Sequence, residues 1–173
     1  SYIKNKVTNL TSVIEAGGFG DNDSPFIRIE EGYPIGYFYG YKTDGLFQTW
    51  QEVGASGQPG AGPGDVKFVD LDGDGFITTS DRTMIGNPHP DLTFGLNGQI
   101  NYKWIDLSLF FQGTYGNDIY FPWIRWIYEG NASGRNYHVD VLDAWTPENT
   151  DTEVPRIGSA SNNNFRWSNM MVY

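Results

Sequence analysis

The chain has 173 residues and is strongly acidic, with 21 Asp and Glu against 11 Lys and Arg and a formal net charge of −10. This length suffices for one ordinary domain with its own core, and the acidity argues against a nucleic-acid binder, which needs a basic face. The absence of cysteine excludes disulfides and thiolate zinc sites, and the high content of aromatic residues and glycine indicates strands and loops.

The first part of the chain predicts short elements. Residues 33–41 alternate in the way that is typical of a strand, with tyrosines on one face and glycines on the other. A short helix is expected around residues 48–53, and the Gly- and Pro-rich residues 54–64 fit either a linker or the tip of a long loop. Residues 65–69 predict a short strand that leads into an Asp-rich loop.

The Asp-rich loop, residues 70–81, matches the calcium-binding loop of an EF-hand. That loop needs oxygen ligands at positions one, three, five, seven, nine and twelve, and a glycine at position six for its sharp turn. The candidate ligands in this order are Asp70, Asp72, Asp74, the carbonyl of Phe76, Thr78 and Asp81. Gly75 occupies position six. The loop therefore predicts a divalent cation site, with calcium favoured over magnesium.

Two departures from the EF-hand keep alternatives open. Asp81 stands where a longer Glu is usual, and the residues before the loop look extended rather than helical. Dockerin-type loops tolerate Asp at this position, so a soluble calcium-dependent interaction module of dockerin type is one alternative. A turn rich in Asp and Gly that binds no cation is the other.

The clearest secondary structure is predicted for residues 92–102 and 105–113, which are separated only by Lys103 and Trp104. Each run has about ten residues, the length that a tilted β-strand needs to cross a bilayer. One predicted face is apolar except for glycine and consists of Leu92, Phe94, Leu96, Gly98, Ile100, Tyr102, Ile105, Leu107, Leu109, Phe111 and Gly113. The pattern fits a pair of lipid-facing strands and, equally, an amphipathic hairpin that covers the core of a soluble sandwich.

The last third of the chain is rich in aromatic residues. Candidates for contact with sugar rings or a partner protein are Trp123, Trp126, Tyr128 and Trp145, although packing within loops explains such residues as well. Residues 138–145 could form two helical turns. The chain contains no Gly-x-Ser-x-Gly, phosphate-binding glycine loop or His-Glu-x-x-His, so we expect no enzymatic activity. A glycan-cleaving domain is the alternative that the many acids and tryptophans permit.

Several motifs occur in an order that resembles the C-terminal part of the SusC-like (SusC/RagA) TonB-dependent outer-membrane transporters of Bacteroidetes. The resemblance covers nearly the whole chain. The motifs that carry it lie at residues 32–47, 63–75, 81–91, 110–118, 144–149 and 154–156.

This resemblance implies an all-β fold that is part of a large antiparallel transmembrane β-barrel with long extracellular loops containing short helices. Residues 1–173 would be a fragment of one barrel domain of the roughly 22-stranded plugged kind, with the plug domain outside it. Residues 92–102 and 105–113 would be barrel strands, and residues 44–90 and 116–168 would be extracellular loop regions.

The resemblance also implies a function and a set of partners. Such transporters reside in the cell outer membrane, in contact with lipid and lipopolysaccharide, and import oligosaccharides or, in some members, peptides. Energy comes from TonB, and a SusD-like surface lipoprotein acts as a lid. In this setting a bound Ca²⁺ would stiffen one extracellular loop.

Overall fold

The computed structural model describes residues 1–17, 26–128, 136–158, 166 and 168–173, except for the side chains of residues 125 and 126. Within these ranges strands predominate and helices are short, so the predicted all-β class is confirmed. No described helix has the length and apolar character that crossing a membrane requires. The chain divides into two compact units, one of residues 1–38 and 86–119 and one of residues 39–85 and 120–173.

The strands in chain order are β1 (Ile14–Ala16), β2 (Ile27–Ile29), β3 (Tyr37–Tyr41), β4 (Thr43–Leu46), β5 (Val66–Phe68), β6 (Arg82–Gly86), β7 (Leu92–Tyr102) and β8 (Ile105–Tyr115). The α-helices are α1 (Trp50–Ala55) and α2 (Ile124–Tyr128), and short 3-10 helices span Thr79–Asp81, Val139–Asp143 and Asn169–Met171. The helix expected at 48–53 is thus present two residues later. It begins after Thr49, whose side chain accepts a hydrogen bond from the backbone N–H of Glu52.

In the first unit, β1 pairs antiparallel with β2, and β2 pairs with the start of β3. The sequence pattern placed the beginning of this last strand at residue 33, whereas the structure begins it at Tyr37. The reason is Gly36, whose φ of 66° places it in the left-handed region and turns the chain just before the strand.

The remainder of the first unit is the β7–β8 hairpin. The predicted bounds of β7 are confirmed, and β8 extends two residues further than the predicted 105–113. A two-residue turn joins the strands, with Lys103 at a φ of 54°, as tight hairpin turns require. The register sets Leu96 opposite Phe111 and Ile100 opposite Leu107, so the apolar residues of both strands share one face, as the alternation predicted.

The second unit is built around a small core formed by Tyr41, Val66, Phe68 and Ile77. In this unit β4 pairs antiparallel with β5, and the rest of β3 lies beside β6. The buried side chain of Gln58 supplies a further partner for β5. Its amide nitrogen donates to the carbonyl of Val66 at 2.8 Å, and its amide oxygen accepts from the N–H of Phe68 at 3.0 Å.

An ion pair between a buried carboxylate and a partly exposed arginine ties distant parts of the second unit together. Arg156 donates through Nε to Oδ1 of Asp65 at 2.6 Å and through Nη2 to Oδ2 at 2.9 Å. Asp65 is 0% exposed and also accepts from the N–H of Gly62 at 2.8 Å. The paired geometry on both carboxylate oxygens is the strongest arrangement for an Arg–carboxylate contact.

Candidate functional site

The Asp-rich loop brings three of its predicted ligands together. Carboxylate oxygens of Asp70, Asp72 and Asp74 lie within 4.8 Å of one another. The loop holds them there with its own backbone, because Asp70 accepts from the N–H groups of Gly73 at 2.6 Å and Gly75 at 2.8 Å. Three clustered carboxylates are the donor set that hard cations such as Ca²⁺ prefer, so the residues present fit such an ion.

The pKa values of Asp70 and Asp72 are shifted in opposite directions. The hydrogen bond from the backbone of Gly75, helped by that from Gly73, holds the pKa of Asp70 below its ordinary value. The pKa of Asp72 is raised, because desolvation and the charges of Asp74, Asp81 and Asp70 outweigh the lowering effect of its hydrogen bond from the Asp74 backbone. A bound cation would relieve the electrostatic repulsion among the neighbouring carboxylates.

The other three predicted ligands lie in different surroundings. Asp81 is fully buried, and its two oxygens accept from the N–H groups of Leu71 at 2.8 Å and Thr78 at 2.7 Å. The hydroxyl of Thr78 in turn accepts from the N–H of Ser80 at 3.2 Å, which completes a capping box. Phe76 has a largely exposed ring. The carboxylate of Asp81 therefore joins the two ends of the loop, outside the three-carboxylate cluster.

Gly57 is a residue of this site that the sequence pattern did not single out. Its backbone runs directly against the Asp-rich loop, where its carbonyl accepts from the N–H of Ile77 at 3.4 Å. A Cβ on Gly57 would lie 1.8 Å from the carbonyl oxygen of Gly75. The contact between these two backbone segments therefore leaves no room for a side chain. The side chain of Ile77 packs in the core of the second unit and so holds the loop in place.

The four aromatic candidates do not form one surface. Trp123 is largely exposed, whereas Trp145 is 9% exposed and donates its indole N–H to Gln48 at 2.9 Å. Trp145 also packs against the backbone of Gly64, where an added Cβ would lie 2.4 Å from the indole ring. It therefore belongs to the interior of the second unit. The side chain of Trp126 lies outside the described residues.

Tyr128, the remaining aromatic candidate, borders a cavity of about 480 Å³ in the second unit. Its hydroxyl donates to Oδ2 of Asp140 at 2.7 Å, and burial together with this hydrogen bond raises the pKa of Tyr128 to about 12. The residues that line the cavity are Thr43, Gly45, Leu46, Val66, Ile124, Tyr128, Asp140, Thr152, Glu153, Val154, Pro155, Met170 and Tyr173. They come from several distant stretches of the chain, which is why no local sequence signal pointed to them.

Comparison with known proteins gives a consistent set of relatives. The chain is 42% identical to TonB-dependent receptor P3 of Formosa agariphila over 130 residues, which are 74% of this chain and 13% of that receptor. It is 37% identical to TonB-dependent receptor P26 of the same organism over 163 residues, or 89% of this chain and 16% of that receptor. It is also 27% identical to TonB-dependent receptor SusC of Bacteroides thetaiotaomicron over 128 residues, or 69% of this chain and 12% of SusC.

No protein-family model matches the chain. The chain spans 13% and 16% of the length of the two Formosa receptors described above. The aligned region nevertheless covers most of the chain, and the relatives include SusC itself. The chain therefore belongs to the SusC-like TonB-dependent receptors, of which it represents one segment.

Proposed function

We propose that the parent protein imports nutrients across the outer membrane with energy from TonB, and that β7 and β8 are adjacent strands of its transmembrane β-barrel. The observation that carries this proposal is the hairpin itself. Its two strands have 11 residues each, and a strand of this length, tilted by roughly 45°, rises about 25 Å along the membrane normal. Its apolar face is exposed, with Leu96 at 65% and Phe111 at 58%, and lipid would cover this face.

The outer edge of β7 supports the same proposal. On the side of β7 away from β8, Thr93 donates its N–H to the carbonyl of Ser1 at 2.9 Å, and Ile3 donates to the carbonyl of Asp91 at 2.9 Å. Tyr2 and Leu92 form an antiparallel bridge between these bonds. Near its beginning β7 thus has hydrogen-bonded neighbours on both sides, as a strand inside a closed barrel has, since open edges are not viable in lipid.

The resemblance to SusC-like transporters supports the choice of partners and substrate. A SusD-like lipoprotein would cover the external face as a lid, and the substrate would be an oligosaccharide or, as the second choice, a peptide. Residues 44–90 and 116–168 would then lie in extracellular loops. The relatives are receptors of the TonB-dependent type and give no support to the dockerin-type alternative. Transport also requires no catalytic chemistry from this chain.

A charge on the lipid side of the hairpin is expected to block assembly. In the parent receptor, Leu109→Arg would place a guanidinium at the middle of the apolar face, opposite Gly98, at a cost of about 2–4 kcal/mol near the bilayer midplane. Ser108→Arg, on the opposite face, is the matched control and is expected to cost little. The measurement is the amount of folded receptor in the outer membrane by heat-modifiable gel migration. Equal losses for both variants would contradict the membrane orientation proposed for β7 and β8.

We further propose that Asp70, Asp72 and Asp74 hold a Ca²⁺ ion that stiffens the loop. Support comes from the clustering of the three carboxylates and from the raised pKa of Asp72, to which desolvation contributes most and the charges of the neighbouring carboxylates add. Calcium at about nine times its Kd is expected to slow proteolysis of residues 70–81 about tenfold, because an ion that binds only the closed loop lowers the open population.

The double variant Asp70→Asn/Asp74→Asn should lose this calcium dependence and keep the barrel intact. Asp151→Asn serves as the control, since Asp151 is an exposed acid outside the Asp-rich loop. The rate of cleavage with calcium and with a chelator is measured on the parent receptor. A double variant that responds to calcium as the unchanged receptor does would rule out these carboxylates as ligands.

Transport itself is tested in the native cells. An antibody against residues 120–160 should detect a polypeptide several times larger than this chain in the outer-membrane fraction. Deletion of its gene should abolish uptake of at least one oligosaccharide, and loss of TonB should abolish the same uptake. A soluble protein of about the size of this chain would overturn the proposal.

A further inference from the structure

We infer that the cavity beside Tyr128 binds a cationic, hydrogen-bond-donating group, a protonated amine, and rejects anionic ligands. The inference rests on the proposed import function and specifies which substrates that function would favour. The cavity measures about 480 Å³, within the range of about 300–1,000 Å³ that is common for small-molecule sites. This space admits a ligand of the size of one or two sugar rings or of a long amino-acid side chain.

The charged side chains in the described part of the lining have one sign. Asp140 and Glu153 face the cavity, and its described lining includes no Lys, Arg or His. The second oxygen of Asp140, Oδ2, contacts the hydroxyl of Tyr128 at 2.7 Å and Nδ1 of His138 at 3.0 Å. Among the described residues, these contacts leave Oδ1 of Asp140 and the exposed carboxylate of Glu153 available to a ligand. Two carboxylates at one cavity attract an ammonium group and repel a uronate or sulfate.

The neutral polar groups of the cavity favour the same ligands. The hydroxyl of Thr43 donates to Oδ1 of Asn169 at 2.9 Å, and the hydroxyl of Tyr128 donates to Asp140. Since each hydroxyl has a single proton, both present only oxygen lone pairs to a ligand. These two hydroxyls therefore accept from donors such as ammonium and sugar hydroxyl groups, and they offer no proton to a carboxylate or sulfate.

The apolar part of the lining gives the ligand a surface to lie on. Tyr128 and Tyr173 contribute aromatic rings, and Leu46, Val154 and Pro155 contribute aliphatic surface. Aromatic faces attract cations as well as apolar groups, so these rings reinforce the preference for an amine over an acid. An amino sugar and a lysine side chain both carry a protonated amine, and binding measurements with both kinds of probe distinguish these two sources.

The test measures equilibrium binding to the purified parent receptor by calorimetry at low salt. The probes are tetramers of glucosamine, of glucose and of galacturonate, together with tetralysine. Glucosamine or lysine should bind at least tenfold more tightly than galacturonate, with the glucose tetramer in between. Preference for the glucosamine tetramer over tetralysine would assign the amine to a sugar, and the reverse preference would assign it to a peptide. Galacturonate that binds as well as glucosamine, or failure of every probe to bind, would overturn the inference.

Two variants test whether the preference for amine ligands arises at this cavity. Glu153→Gln is expected to lower the affinity for the amine probe about threefold to fivefold, in keeping with a partly exposed ion pair, and to leave the glucose tetramer unaffected. Asp140→Asn keeps an oxygen for the hydroxyl of Tyr128 and should act in the same direction. Asp151→Asn, outside the lining, is the control. An unchanged ratio of amine to neutral affinity in both variants would overturn the inference. Binding is measured without TonB, so a failure of uptake with intact selectivity would contradict only the import proposal.

Discussion

Arg156→Gln is expected to destabilise the second unit by about 3 kcal/mol, because it leaves a buried carboxylate without its counter-charge. Asp65 is 0% exposed, and both of its oxygens receive hydrogen bonds from Arg156. Only one N–H, that of Gly62, remains as a partner in the described structure around this carboxylate. The side chain of Arg156 is 38% exposed, so water reaches the pair from one side. For this reason we expect the low end of the range of about 3–5 kcal/mol for breaking a buried pair.

Native-state proteolysis of the parent receptor in increasing urea measures this change, because cleavage follows the population of the opened unit. Lys67→Gln is the matched control. Lys67 pairs with Asp44 at 2.8 Å, but both side chains are exposed, and such a pair contributes about 0–1 kcal/mol. The double variant Asp65→Asn/Arg156→Gln should be less destabilised than the sum of the single variants, since no buried carboxylate is left without its counter-charge. Equal effects of Arg156→Gln and Lys67→Gln would show that burial does not strengthen the Asp65–Arg156 pair.

Gly57→Ala is expected to open the contact between the Gly57 backbone and the Asp-rich loop and to lower the free energy of unfolding by about 3 kcal/mol. Two causes add up. Gly57 has a φ of 59°, which L-residues with a side chain rarely adopt, and the added Cβ would meet the carbonyl oxygen of Gly75 at 1.8 Å. The obstacle is backbone on both sides, so no flexible side chain can move away to make room.

Gly73→Ala separates these two causes within the same segment of the chain. Gly73 has a φ of 76°, but no atom lies within 4 Å of the position of its Cβ, so only the backbone cost of about 1–2 kcal/mol applies. The readout is the urea dependence of proteolysis in residues 54–81, without calcium. If the two variants lose equal stability, the close approach of Gly57 to Gly75 contributes nothing beyond backbone strain.

The β7–β8 hairpin could be predicted from the sequence in nearly every respect. A strand with one apolar face repeats every two residues, so the alternation predicts the element and its two faces together. The two-residue turn at Lys103 and Trp104 then leaves a single register, which the structure confirms with Phe94 opposite Gly113 and Tyr102 opposite Ile105. The three-carboxylate cluster could be predicted for a similar reason, because ligands two residues apart in one tight turn meet through local geometry alone.

Contacts between residues that are far apart in the chain set the remaining features of the structure. Spacing predicts Asp81 as the sixth ligand, and the fold adds that its buried carboxylate accepts from the N–H groups of Leu71 and Thr78 and so connects the ends of the loop. Trp145 is indistinguishable from an exposed aromatic residue in the sequence, yet it packs on Gly64 in the interior. The Asp65–Arg156 pair joins residues 91 positions apart. Periodicity and turn geometry act over a few residues, so the sequence alone predicts the hairpin and the carboxylate cluster. The Asp65–Arg156 pair, the burial of Trp145 and the cavity beside Tyr128 required the folded chain, because close packing selects distant neighbours by shape and charge.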